Sequence, residues 1–306
     1  MDAGQTKYQQ MMAKLGLEEE NLFEIVYHQI SYFVSALSSL YEEENLLDGR
    51  SMLLRFIRRM VNIMRSIYVL YKTTADRASM MILTRSVIDI NATIHFFFRY
   101  VTDPEELSLR ILLFQLDGVR TRLGLSDEPL KPRDPEIISE AEYEETLRQR
   151  NVTRTSDLKA KEGLERMIKQ SAFYPEMHRM IFQKAIWKYK DIRKNDKYSW
   201  EDLYVIACEE KGRARFAQDY LSHYVHGVGI ADIQSSSIDE TNPVFSLHIC
   251  VSIFDRLNPI IQSLYADDYD VLVKASRTEM GEMLLSNLPL ETLEEYSRKA
   301  NDKDSN

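Results

Sequence analysis

Hydrophobic residues along this chain recur every three or four positions and rarely alternate, the period of amphipathic helices. After Asn21 a wide apolar stripe runs through Leu22, Phe23, Ile25, Val26, Ile30, Phe33, Val34, Leu37 and Leu40. Asp48 is placed to cap a second helix that buries Met52, Leu53, Phe56, Ile57, Met60, Ile63, Met64, Ile67 and Leu70. Its other side carries Arg55, Arg58, Arg59 and Arg65. Asp76 is placed to cap a third helix reaching about Val101. Asp103-Pro104-Glu105-Glu106 combines a cap, a proline at the first helical position and a glutamate at the third, so a fourth helix starts there and ends near Gly124.

Prolines 129, 132 and 135 mark a loop. Residues 136–170 are highly charged, with sparse apolar positions at Leu147, Leu158, Leu164, Met167 and Ile168, and read as an exposed helical arm. Helical signal resumes at Tyr174-Pro175. Ser199-Trp200-Glu201-Asp202 approximates a capping box before Leu203, Val205, Ile206 and Ala207. Gly212 breaks that helix, another runs from about Arg213 to His226, and a polar loop spans 227–242. Asn242-Pro243 starts a helix reaching Tyr265, with Pro259 expected to kink it. Two shorter helices follow. The expected fold is all-α: a mostly antiparallel bundle forming one domain over 1–300, with 136–170 as a charged arm or insertion and 301–306 as a disordered tail.

Glycine and proline number 10 and 8 in 306 residues, which excludes collagen-like and turn-dense all-β chains. The net charge of −9 excludes a uniformly basic nucleic-acid binder but not a local basic patch. Charge is segmented: 1–44 carry two basic against eight acidic residues, 45–100 nine against three, 146–200 fourteen against six, and 265–306 five against ten. Complementarity between helices accounts for this pattern, with a basic partner-facing surface as the alternative. Cys208 and Cys250 have no metal-site spacing, which fits a reducing cytoplasm. The start of the chain lacks the basic and apolar pattern of a secretory signal. The most apolar stretch, 80–100, is interrupted by Arg85, Asp89, His95 and Arg99, so no membrane span is expected.

Those interruptions carry the first candidate chemistry. The third helix is apolar on nearly all sides, so its polar groups need partners. Arg85 and Asp89 stand one turn apart. They read either as an internal salt bridge or as a pocket pair, Arg85 clamping a substrate and Asp89 acting as an acid or orienting carboxylate. His95 and Arg99, nearer the helix end, read as structural.

The second candidate is the helix 213–226. At 100° per residue, Arg215, Asp219, Ser222, His223 and His226 fall within an arc of about 100°, opposite Ala214, Ala217, Leu221, Tyr224 and Val225. One reading has Asp219 hold the imidazole of His223 or His226 as a general base, with Arg215 or Arg85 stabilising a phosphoryl anion. A second has Asp219, His223 and His226 bind a metal, although no HExxH motif backs it. A third has the stripe satisfied by neighbouring helices or solvent. Ser222 lacks a nucleophile-elbow context and is kept as a binding residue. Phosphate-loop and dinucleotide motifs are missing.

Lys184, Trp187, Lys188, Tyr189, Lys190, Arg193, Lys194, Lys197, Tyr198 and Trp200 interleave cations with aromatic rings, the combination that phosphate neutralisation and base stacking need. The reading preferred is a helix that buries Ile186, Trp187 and Tyr189 and solvates its lysines.

Two segments, Arg85-Ser86-Val87-Ile88-Asp89 and Tyr220-Leu221-Ser222-His223-Tyr224-Val225-His226-Gly227, resemble a bacterial family of uncharacterised helical proteins that brings no assigned activity. More distantly the chain is similar to HEPN helical-bundle proteins, often toxin or anti-phage ribonucleases that use an Arg-x(4–6)-His motif without metal. The chain departs from that motif: Leu221, Tyr220 and Asp219 occupy the arginine positions counted from His226, and residues 216–218 those counted from His223. Arg85 would have to substitute in space.

Together these readings give a cytoplasmic bacterial protein, defence- or stress-associated, that acts on RNA or a nucleotide without cofactor or assigned metal. The candidate catalytic residues are His226, His223, Asp219, Arg85 and Asp89, and the binding residues Arg215, Ser222 and Tyr220. A homodimer is compatible with this reading. The rival reading is a non-enzymatic module that docks a protein partner.

Overall fold

The structure, a computed structural model, describes residues 19–41, 48–74, 76–128, 132–208 and 245–274, together with Gly212 and Leu221. These residues build an all-α bundle of mostly antiparallel helices. The first two helices are α1 (Glu19–Tyr41) and α2 (Gly49–Thr73), followed by α3 (Arg77–His95), α4 (Pro104–Asp127) and α5 (Glu140–Gln170). Next come the short α6 (Arg179–Lys184), then α7 (Trp200–Cys208) and α8 (Phe245–Leu264). Among the described residues no helix is long and apolar enough to cross a membrane.

The start signals act as expected. Asp48 accepts the Ser51 amide at 3.0 Å and Asp76 that of Ser79 at 3.3 Å. Asp103 accepts the amides of Glu105 and Glu106, with Pro104 at the first helical position. Each carboxylate satisfies amides that a helix end leaves without partners. The α1–α2, α2–α3 and α4–α5 pairs pack side by side. The central α3 is covered by α2, α7 and α8, and its residues Val87, Ala92 and Ile94 are sealed from solvent. Its last turn opens into a π-helical segment, Phe96–Tyr100, in which the Val101 amide reaches the Phe96 carbonyl at 3.1 Å. That wider turn inserts Phe96 and Phe97 into the core.

Two expectations change. The segment after α6 is not a helix. Ala185 adopts a left-handed conformation (φ 48°), ending α6. The chain then forms a narrow ribbon, with Tyr189 bridged antiparallel to Lys197 and the Tyr198 amide bonded to the Lys188 carbonyl at 2.8 Å. Trp187 and Tyr189 are buried, as expected, but by alternation and not by helical period. The charged arm is one 31-residue helix whose C-terminal half is anchored, with Leu164 and Ile168 in the core. The predicted helix 213–226 lies outside the described residues except for Leu221, which is buried. The loop 227–242 and the tail 301–306 lie wholly outside them.

Much of the segmented charge is spent inside the fold. Arg150 of α5 donates to the Ser126 carbonyl at 2.6 Å, closing the end of α4. Arg256 of α8 donates to the Cys208 carbonyl of α7 at 3.2 Å, and Arg120 to the Phe182 and Gln183 carbonyls near the end of α6. Arg122 grips Asp157 of α5 through two nitrogens, the shortest contact being 2.7 Å.

The Arg122 hydrogen bonds hold the Asp157 carboxyl below its ordinary pKa. A depressed carboxyl contributes stability at neutral pH and loses it as pH falls from the ordinary carboxylate range through the folded value. The melting temperature of Asp157→Asn should therefore lie below that of the wild type at pH 7, with the gap closing in acid. A gap that stays constant with pH would remove the ion pair as its cause.

Candidate functional site

The described part of the candidate site sits where α3, α7 and the ribbon meet. One helical turn brings Arg85 Nε within 3.1 Å of Asp89 Oδ1. Tyr204 of α7 donates its hydroxyl to the same oxygen at 2.5 Å. The Arg85 guanidinium lies 4.8 Å from the centre of the Tyr204 ring. Asp89 Oδ1 thus receives both bonds, and its side chain keeps 36% of its surface exposed against 13% for Arg85. The pair is neither sealed in the core nor on open surface.

Burial is the main influence on each titrating group here. It raises the Asp89 carboxyl, while the Tyr204 hydroxyl and Arg85 pull it back down. It also raises the Tyr204 phenol, which the Asp89 charge pushes further. From the ribbon, the Lys188 ammonium is lowered by burial and by the neighbouring Lys197, with Asp117, Asp202 and Asp89 opposing. An acid is raised and a base is lowered on facing elements of one half-open site. Such clusters concentrate at functional positions, though structural networks also make them.

Of the residues singled out in the sequence, Arg85 and Asp89 are brought together as a pair. Arg215, Asp219, Tyr220, Ser222, His223 and His226 lie outside the described residues. His95 is buried at the end of α3, in keeping with a structural part. Tyr204 and Lys188 were not singled out for this site. Tyr204 lies inside the apolar run of α7 and reads as core, and only the tertiary packing sets its hydroxyl on Asp89. Among the described residues no group of three or more His, Cys, Asp or Glu side chains is arranged to hold a metal ion. Cys250 is buried and its thiol is pushed up, so it offers no reactive thiolate.

No family model, curated protein or solved structure matches the chain.

Proposed function

We propose that the protein acts on RNA or a nucleotide at a polar pocket beside α3. The observation that supports this reading best is the convergence of Asp89, Tyr204, Arg85 and Lys188, with the carboxyl raised and the ammonium lowered. A raised carboxyl suits proton transfer, and the Arg85 and Lys188 cations beside it suit a phosphoryl group. In this proposal Arg85 and Lys188 hold the phosphate and Asp89 orients or protonates. The segment 213–226, a helix by its sequence pattern alone, is assigned His226 as general base or acid, with Asp219 orienting an imidazole and His223 as its alternate. Arg215, Ser222 and Tyr220 contact substrate. A cytoplasmic bacterial protein of a defence or stress response is the setting that goes with it.

The second reading is an interaction module in which Arg85, Asp89 and Tyr204 only tie α3 to α7, and their mutual satisfaction favours it. Incubation of wild type, His226→Ala and Asp89→Asn with total RNA, with and without EDTA, separates the two. Acid–base catalysis by a positioned side chain contributes about 10²–10⁴-fold, so His226→Ala should lose that much cleavage while melting like wild type. Full activity in His226→Ala removes the assignment. Cleavage abolished by EDTA transfers it to Asp219, His223 and His226 as metal ligands. Absence of cleavage under every condition leaves the interaction module.

A further inference from the structure

The ribbon after α6 buries one side, and the rings gathered at its outer side rest on the core and keep part of their surface open, Trp200 against Tyr204 and Tyr100 against Phe96. Trp187 and Tyr189 point inward, and Arg110 lies over the Tyr189 ring at 3.7 Å. The outer side collects rings and cations. Trp200 is 38% exposed and Tyr100 48%. Lys188 Nζ stands 4.5 Å from the centre of the Trp200 ring and Lys190 Nζ 5.4 Å from that of Tyr198. The Tyr100 and Tyr198 hydroxyls share a 2.6 Å hydrogen bond, and the two rings meet edge to face at 5.7 Å.

Charge on this face is left over. Over 184–200 there are six basic residues and two acidic ones. Arg193 is paired with Glu176, Lys194 with Asp191, and Lys190 more loosely with Asp202 at 3.6 Å. Lys188 and Lys197 have no carboxylate at ion-pair distance among the described residues, and each repels the other. An anion placed between them would relieve that repulsion. An acidic peptide would satisfy the lysines but make no use of the exposed rings. A duplex would satisfy them too, but it keeps its bases stacked on one another. Unpaired bases joined by phosphates match both features.

We propose that the outer face of the ribbon is a binding platform for a single-stranded polynucleotide. In it one base stacks on Trp200, a neighbouring base rests against Tyr100 and Tyr198, and the intervening phosphates contact Lys188 and Lys197. The ligand class rests on the proposed action on RNA, but the platform needs no chemistry at Asp89. It would deliver a strand to the adjacent site.

The chain has only two tryptophans, and Trp187 is buried, so quenching of tryptophan fluorescence on binding reports Trp200. The full-length protein and its variants are titrated in EDTA with U12, dT12, a 12-base-pair duplex and poly-glutamate by isothermal calorimetry, which needs no tryptophan, and quenching in the wild type is the second readout. U12 or dT12 should bind and quench, and the duplex should bind more weakly. Tighter U12 than dT12 identifies RNA as the ligand, and equal binding identifies a platform blind to the sugar. Trp200→Ala should weaken binding by about 5- to 150-fold, and Trp200→Phe should restore most of it. Lys197→Ala should lower the slope of log affinity against log salt by about 0.7. A Trp200→Ala protein that melts normally and binds U12 and dT12 as wild type overturns the proposal. So does poly-glutamate binding as tightly as U12, which assigns the face to an acidic protein. Binding without any RNA cleavage overturns the nuclease reading and leaves the platform standing.

Discussion

Replacing Arg110 with alanine is expected to lower the stability of the fold by about 3 kcal/mol, measured as a shift in urea unfolding midpoint at constant slope. The side chain is only 4% exposed, and every part of it is engaged. Its Nε and Nη2 both reach Glu106 Oε1, at 3.0 and 2.6 Å, and its Nη1 donates to the Trp187 carbonyl at 2.9 Å. The guanidinium carbon lies 3.7 Å from the centre of the Tyr189 ring and 5.0 Å from that of Phe96. Truncation opens a gap beside those rings and takes the hydrogen bond from a buried carbonyl. Glu106 is 31% exposed and can turn to water, which keeps the cost near the lower end for a broken buried pair. Lysine should rescue little, because it lacks the planar fork that serves Glu106 and Trp187 together. A loss under about 1 kcal/mol would show that the ribbon is held by its apolar contacts alone.

Arg110 also shows where sequence reasoning stopped. The start of α4 was legible in Asp103-Pro104-Glu105-Glu106, because capping is local and its partners lie within three residues. The same signature assigns Glu106 a place at the cap, yet its carboxylate bonds Arg110 one turn later. That choice depends on the ribbon arriving 77 residues further along, which no local pattern encodes. The same limit explains the candidate site. Arg85 and Asp89 were visible as a pair because one helical turn brings them together, whereas Tyr204 and Lys188 reach them only through the packing of α7 and the ribbon.

The ribbon departs from the helix its composition suggests for a different reason. Trp187, Lys188, Tyr189 and Lys190 alternate apolar and charged, a period of two, but the run is only four residues long and sits in a chain of helices. A lysine-rich helix end explained the composition equally well. What ended the helix was the left-handed backbone at Ala185, and alanine gives no warning of such a position, since glycine or asparagine is the usual occupant. Trp187 and Tyr189 are buried as their hydrophobicity leads one to expect. Hydrophobicity reports burial whichever element carries it.

The two tryptophans should accordingly separate in their consequences. Trp187→Ala is expected to cost about 3–5 kcal/mol, as for other large buried aromatics. The ring lies 5.3 Å from both Phe97 and Phe114 and 5.8 Å from Phe96, so its loss empties the joint that the π-helical turn, α4 and the ribbon share. Trp200→Ala, at the half-exposed start of α7 where the ring stacks on Tyr204, should cost about 1–2 kcal/mol. Thermal and urea unfolding of both variants checks the contrast. Equal costs would mean that Trp200 belongs to the core and would take the exposed ring out of the platform. The expected inequality has a physical reason. A side chain that fills a closed joint loses its contacts with nothing to replace them, whereas one on the rim exchanges them for water. The ribbon can therefore hold its shape through Trp187 and keep Trp200 for a ligand, and mutation of the second residue tests binding without unmaking the first.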